Sequence, residues 1–556
     1  MGTPAFVDIH VHPDLKTFLS SNDEIDRKDC WQNLSIPIIG QIIDDLFLGN
    51  ILGSQSSLTQ LNQPGGPIVT AGLYGFERAM IKGDLFNSLL IHVDLLTIAK
   101  VLEIIGYRGR LLDYKLLKRM SKLRTSMFRL FNEAHSHLLL SDLIPPGIKL
   151  LKSIGDYDPG KLNIILTAEG GHNLFRKRCS CHKRKNVIAN IDKLKTGEYR
   201  FLFAGPAHIE RSRLCTHAYA IKFLHHKNFL PVGSGITNLG KKAIKELLDN
   251  PNRILIDIKH MSLESRKQFY NMLDENYPNE TIPVIASHVG VTGISYDKIE
   301  YESCETYKCK WTKVQHTSKD GIIPGTKFNP WSINLYDEEI KRIIQSEGLI
   351  GLSLDARILG ARQKKDEDLI EYFSKKEFRC GEQGRHPISQ ISNLVQGPVT
   401  PSKEDEFEEK IKTIQKMIIT YLEAVFKNPE RYMESDNLRK KIEEEYKLLP
   451  DRRQMISNMQ NRDLKHLCNN ILHIVRVGGD RAWKHICIGS DFDGLVSAIE
   501  CCKNVTEYGN LALKLKRMLP EMAASVTPPQ QINNIDQKVD GIMAGNAHDF
   551  LKKYFV

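Results

Sequence analysis

Short runs of Ile, Val and Leu, each closed by a polar residue, recur along this chain. Eight stand out: Ala5–Ile9, Pro67–Leu73, Asn163–Ala168, Arg213–Thr216, Arg253–Ile258, Pro283–Ser287, Leu349–Leu354 and Ile486–Ser490. Several are almost continuously apolar. That suits parallel strands buried on both faces rather than a sheet with one wet face. Between them the apolar spacing becomes helical. Lys241–Leu248 and Tyr336–Ile344 show it, and Ser262, followed by Leu263-Glu-Ser-Arg266, is placed to cap a helix. Eight strands alternating with helices predict an α/β fold, the (β/α)8 TIM barrel.

Two stretches exceed what a minimal barrel needs. Residues of about 75–160 hold more helix than one crossover requires, including the Leu-, Lys- and Arg-rich Leu111–Leu139. Residues of about 360–470 are charged and helix-prone, and regular Ile, Leu and Met spacing over Glu404–Ile419 favours packed helix over disordered linker. A single barrel domain over 1–556, with helical insertions at these two places, accounts for both. Residues 290–330 are polar, contain Gly, Pro and two Cys, and follow the sixth strand; a loop there should overhang the barrel mouth. No internal repeat is evident.

Composition changes this picture little. The 556 residues are 41% hydrophobic and 26% charged, with a formal charge of +10 from 77 basic against 67 acidic residues. The basic clusters Arg176-Lys-Arg178 and Lys183-Arg-Lys185 have no interleaved aromatics, so they read as solvated loops and not as a nucleic-acid surface. No apolar run approaches the ~20 residues of a membrane span. A strand begins almost at once, without a visible signal peptide, and the expected location is cytoplasmic. Eleven scattered cysteines do not make a disulfide framework. Cys179-Ser-Cys181-His182 and Cys304 with Cys309 are therefore expected to be reduced loop thiols.

Chemistry gathers where the apolar runs end. His10 and His12 alternate in Phe6-Val-Asp-Ile-His-Val-His12, so both face the barrel interior. Glu169 follows Ile164-Ile-Leu166 and precedes two glycines; an ionised carboxylate at such a place needs a partner or a metal. His260 and His288 close consecutive apolar strands. Asp491 and Asp493 follow Ile486-Cys-Ile-Gly-Ser490, with Gly489 and Gly494 expected to let the backbone turn around them. One such His is most often a satisfied core residue. Two on neighbouring strands, with Glu169 and Asp491 elsewhere, favour metal ligands, and imidazoles with carboxylates suit zinc or a similar first-row ion. His217 closes the predicted fourth strand and reads as a ligand or a substrate contact. Strand alternation points Lys259 away from the metals, in a structural role.

Glu169-Gly-Gly-His172, Thr216-His217, Ile256-Asp-Ile-Lys-His260, Ser287-His288 and Gly489-Ser-Asp-Phe-Asp-Gly494 together resemble, in order, the signatures of the membrane dipeptidase (renal dipeptidase) family of the amidohydrolase superfamily. Gly541-Ile-Met-Ala-Gly-Asn546 is similar to that family's closing segment. The resemblance implies a binuclear zinc site, two ions per chain. His10, His12, Glu169 and Asp491 would hold one ion. Glu169, as a bridge, would join His260 and His288 on the other. His217 would meet the scissile carbonyl. Two positions depart from the family pattern. His12 stands where the first motif has Asp. In Pro330-Trp-Ser-Ile333-Asn334, Ile333 stands where an Arg receives the substrate's carboxylate, so a bidentate contact is missing there. Arg357 or Arg211 is the expected replacement.

The expected reaction is hydrolysis of a dipeptide or similar small amide by a hydroxide bridging the metals, with Asp491 moving the proton and His217 helping to stabilise the oxyanion. Another small amide, an N-acyl amino acid or a lactone would serve the same chemistry. A non-catalytic barrel acting as a scaffold is the reading from outside enzymes. The expected partner is a small molecule, with no nucleic acid and no membrane span; homo-oligomers stay open.

Overall fold

The computed structural model describes residues 2–20, 29–34, 53–82, 86–88, 91–93, 112–122, 126–140, 147–175, 184–221, 227–362, 369–380, 436–447, 452–495 and 497–556, with scattered positions of 410–421. Cys179, Cys181, His182 and most of Glu404–Ile419 lie outside them. Eight parallel strands form the centre. They are β1 (Val7–Val11), β2 (Ile68–Leu73), β3 (Leu162–Ala168), β4 (Phe201–Ala204), β5 (Leu255–Ile256), β6 (Ile285–Val289), β7 (Leu349–Leu352) and β8 (Ile486–Ile488).

Their order is β5-β4-β3-β2-β1-β8-β7-β6. A parallel bridge between Asp257 and Ile285 joins the two ends, with Ile258 N–H donating to the Ile285 carbonyl at 2.8 Å. This is the (β/α)8 barrel. Every residue of β1, β2 and β3 is buried, as near-continuous apolar runs require. One extra strand, Ile148–Leu150, pairs with β3 outside the ring.

Seven of the expected strands are present, with shifted ends. The fourth is corrected. Arg213–Thr216 is not a barrel strand; it lies in the segment after β4 and makes only short antiparallel bridges, Cys215 with Ile236 and His217 with Met261. Phe201-Leu-Phe-Ala204 takes the place, pairing with β3 through Leu166–Phe201 and with β5 through Phe203–Leu255. The four-residue run is short but wholly apolar and buried.

Helices follow the predicted spacing at α1 (Asn238–Leu248), α2 (Leu263–Asn276) and α3 (Asp337–Gln345). Ser262 caps α2, accepting from Ser265 N–H at 3.2 Å. Long α4 (Arg452–Gly478) precedes β8, and α5 (Asn546–Tyr554) ends the chain. Asn546 donates to the carbonyls of Trp483 and Ile486, each at 2.7 Å, and so ties α5 to the entry of β8.

Within the first insertion, Tyr114–Met120 and Met127–Leu140 are helical. The loop after β6 is more ordered than its polarity suggested. Tyr301–Tyr307 and Trp311–His316 form a hairpin, joined by Ile370–Ser374 as a third strand. Part of the region read as helical is thus β-structure. This sheet packs over the segments that follow β4 and β6: Ser374 donates to the Gly233 carbonyl at 2.6 Å, and Ser332 N–H donates to Glu371 at 3.0 Å. Cys304 and Cys380 form a disulfide across it, correcting the expectation of free thiols there; Cys309 is free and exposed.

Candidate metal centre and its cavity

The C-terminal ends of the strands converge on Glu169, immediately after β3. Its two oxygens lie between 3.3 and 3.7 Å from the Nε2 atoms of His10, His12, His208, His260 and His288. Asp491, three residues past β8, stands 3.3 Å from His12 and 3.9 Å from His10. Six side chains expected from the sequence, His10, His12, Glu169, His260, His288 and Asp491, are therefore brought together. Apart from Asp491, whose side chain is 17% exposed, all are nearly sealed from solvent.

The imidazoles are aimed by their second nitrogens. His12 Nδ1 faces the Gly72 carbonyl at 2.6 Å, which fixes Nδ1–H as donor and turns Nε2 toward Glu169. His288 Nδ1 lies 2.8 Å from Ser287 Oγ, which donates onward to Asp257 at 2.6 Å. His10 is placed through its backbone. Asp8 accepts from His10 N–H at 3.0 Å and from Ser490 N–H at 3.1 Å, locking β1 to β8 beside the site. Among the described residues, both ring nitrogens of His10 are buried without a hydrogen-bond partner, as is His260 Nδ1. Two facing imidazole nitrogens, His260 Nε2 and His288 Nε2, are 3.2 Å apart.

The backbone is bent to present these groups. His260 and Asp491 have φ of 66° and 63°, the left-handed region that disfavours side chains, and Asp493 has 67°. The chain turns here, with Gly494 N–H donating to the Asp491 carbonyl at 3.0 Å, but the positive φ values fall on Asp491 and Asp493 and not on Gly489 or Gly494 as expected. Their role is close approach: a Cβ at Gly494 would overlap His12 and Asp491, and one at Gly489 the Ser287 carbonyl. Asp493 stays out of the cluster. It accepts from Gln55 and Ser56 N–H at 2.9 and 2.8 Å and pairs with Lys16 at 2.7 Å.

Protonation follows from this crowding. Burial favours neutral Glu169, but the neighbouring imidazoles, His208 foremost, hold it well below the usual carboxylate range. Burial also lowers His12 and His208, yet the carboxylates overcome it and hold both up at about 9. His260 is pushed down to about 3 by burial, and His288 well below its ordinary value.

His208 escaped the sequence reading. It follows β4 in Ala204-Gly-Pro-Ala-His208, and the displaced fourth strand hid it. The signal was there: a short apolar run stopped by Gly-Pro, then His. Its Nδ1 lies 2.5 Å from the buried Glu77 carboxylate, so Nε2 is turned to Glu169. His217 does not join the cluster. Its Nε2 lies 3.1 Å from the Phe229 carbonyl, and burial pushes it down to about 4.

Three donor groups can each hold a cation, their ligand atoms within 4.8 Å: His10, His12 and Asp491; His10, Glu169 and His288; Glu169, His208 and His260. Buried imidazoles with unused nitrogens around two carboxylates fit first-row divalent ions. Above them opens a cavity of about 200 Å³. Leu19, Phe76, Met80, Ile221, Ile333 and Ile358 form much of its wall. Lys259 also lines it, correcting the expectation that it points away. Arg357 is on the wall but is gripped by Asp355, Nη2 to Oδ2 at 2.7 Å. Arg211 does not line this cavity; its Nη2 donates to the Lys227 carbonyl at 3.3 Å.

Residues 326–524 match the family described as membrane dipeptidase, peptidase family M19. The motif-based resemblance thus holds over the part of the chain that carries β7, β8 and Asp491. No curated protein matches the chain. Among solved structures, one described as the dipeptidase AC, a metallo peptidase of family M19, is 11% identical, with TM-score 0.47 over 100% of this chain and 99% of that one. A metallo peptidase from Rhodobacter sphaeroides, liganded with a phosphinate mimic of the dipeptide L-Ala-D-Ala, is 12% identical, with TM-score 0.44 and 100% of both chains covered. The probable dipeptidase PvdM from Pseudomonas aeruginosa is 15% identical, with TM-score 0.43, over 90% of this chain and 88% of that one. At these scores the likenesses carry no argument, and the barrel rests on its own strand order.

Proposed function

We propose that this chain is a metal-dependent hydrolase of a small amide, a dipeptide or a close relative, working with two zinc ions. The observation that carries the reading is Glu169 ringed by five imidazoles from four strand ends, between 3.3 and 3.7 Å away. A buried carboxylate with five buried rings has no packing rationale; it is a ligand set. His10, His12 and Asp491 would hold one ion, and His260 and His288 the other, with Glu169 shared.

Bound there, the cations would bring the pKa of a captured water toward neutrality and polarise the substrate carbonyl. Asp491, partly open to the cavity, would accept the proton of the attacking water and return it to the leaving nitrogen. Water adds across the C–N bond, giving a carboxylate and an amine. His208 takes the role expected of His217. Glu77 holds its Nδ1–H, and as imidazolium its Nε2–H would donate to the developing oxyanion.

Metal analysis and amide hydrolysis by Glu169→Ala and Asp491→Asn proteins test this. Both should lose zinc, activity or both, with hydrolysis down at least about a hundredfold. Unchanged zinc and unchanged hydrolysis in both variants would rule the reading out.

A further inference from the structure

Among the described residues three lysine and arginine side chains line the cavity, and two of them are spoken for. Lys16 pairs with Asp493 at 2.7 Å, and Arg357 is held by both oxygens of Asp355. The third, Lys259, is 2% exposed, yet its Nζ has no hydrogen-bond partner among the described residues. A buried ammonium left without a partner is costly. Around it stand Asp491, Asp257 and Asp355. None takes its protons: Asp257 accepts from Ser287, and Asp355 from Arg357. A lysine nitrogen left unpaired on a cavity wall awaits an anion from outside the protein.

The opposite charge is missing on the same wall. Its carboxylates are Glu169 and Asp491 in the metal cluster, Asp355 on Arg357 and Asp493 on Lys16. Among the described residues none is left to receive a substrate ammonium. Much of the remaining surface is apolar, from Leu19, Phe76, Met80, Ile221 and Ile358.

We propose that Lys259 Nζ is the anion-binding group of this site, and that the substrate is an amide with an apolar N-acyl group and a free carboxylate. The carboxylate docks on Lys259, the acyl group lies against the aliphatic wall, and the scissile carbonyl falls at the cluster between them. A free dipeptide satisfies only half of this, because its ammonium finds no partner. The substrate assignment rests on the hydrolase reading above; the anion site stands on the unpaired Nζ.

Calorimetric titration of the zinc-loaded, full-length protein tests it. The probes are N-tosylglycine, a sulfonamide that amide hydrolysis does not cleave, its carboxamide, and an analogue with an aminomethyl group on the ring. The wild type should bind N-tosylglycine at least about tenfold tighter than either other probe. In Lys259→Met the advantage over the carboxamide should shrink to within about twofold, zinc content unchanged. Lys259→Gln replaces it if Met does not fold. The proposal is overturned if the wild type binds acid and carboxamide alike, if the advantage survives at position 259, or if it disappears only in Arg357→Met. Tight binding of the aminomethyl analogue removes the N-acyl assignment alone. Zinc-loaded protein that cleaves no amide but keeps the Lys259-dependent preference loses the hydrolase and retains the anion site.

Discussion

Glu169 shows what a single residue contributes here. Its side chain is inside the barrel because the ends of β1, β4, β5 and β6 deliver imidazoles to it. The carboxylates in turn keep protons on His12 and His208 up to about 9, whereas an ordinary histidine loses its proton near 6.5. The sign follows. Both folded values are raised, so these protons stabilise the metal-free fold fully below about pH 6.5, and that contribution is lost as pH rises through about 9. Zinc must displace protons from ligating nitrogens, so its affinity should climb across the same window, by about tenfold per pH unit for each proton displaced. Chelator competition at about pH 7 and about pH 9 measures it. A pH-independent affinity contradicts the shared-proton cluster. Of the site residues, His10, His12, Glu169, His260, His288 and Asp491 were legible because each closes an apolar run. Lys259 was misread because alternation assumes a regular strand, and β5 stops at Ile256, with φ of 66° at His260.

At the scale of elements, the segment after β6 is held by one buried ion pair. Arg266, in α2, binds Glu339 of α3 with Nε at 2.6 Å and Nη2 at 2.8 Å. The same guanidinium donates to the carbonyls of Met261, Ser332 and Asn334 at 3.0, 2.7 and 3.3 Å. It thereby fixes the turn that sets Ile333 in the cavity wall. Both side chains are within 1% of full burial. Removing one partner strands the other, so Arg266→Ala should cost about 3–5 kcal/mol in chemical denaturation. A loss under about 1 kcal/mol would mean that the pair does not hold the segment. The helices α1, α2 and α3 were readable from spacing, whereas the hairpin at 301–316 was not. Its strands are mostly polar on one face, as its burial pattern shows, and its partner strand Ile370–Ser374 lies far along the chain.

Across the whole molecule, the barrel carries the site, and the three-stranded sheet packs against the segments around its mouth. The disulfide between Cys304 and Cys380 closes 76 residues of chain across that sheet. Such a link is a feature of oxidising compartments, and the expected cytoplasmic location would keep both thiols reduced. Peptide mapping without reductant, on protein taken from its native host, should recover the two cysteines as one linked peptide. Recovery of both as alkylated thiols would place the chain in a reducing environment. No described helix is long and apolar enough to cross a membrane.

The sequence by itself determined the parallel barrel and six of the side chains that meet at its mouth. Both are written in local signals: an apolar run buried on two faces, then a polar residue at its end. Tertiary structure alone decided that His208 and not His217 meets Glu169, that Lys259 faces the cavity, and that the loop after β6 is a sheet. Each of these depends on where a backbone bends or on a partner distant in sequence. Burial and pairing at such places are properties of the assembled ring, and no window of neighbouring residues contains them.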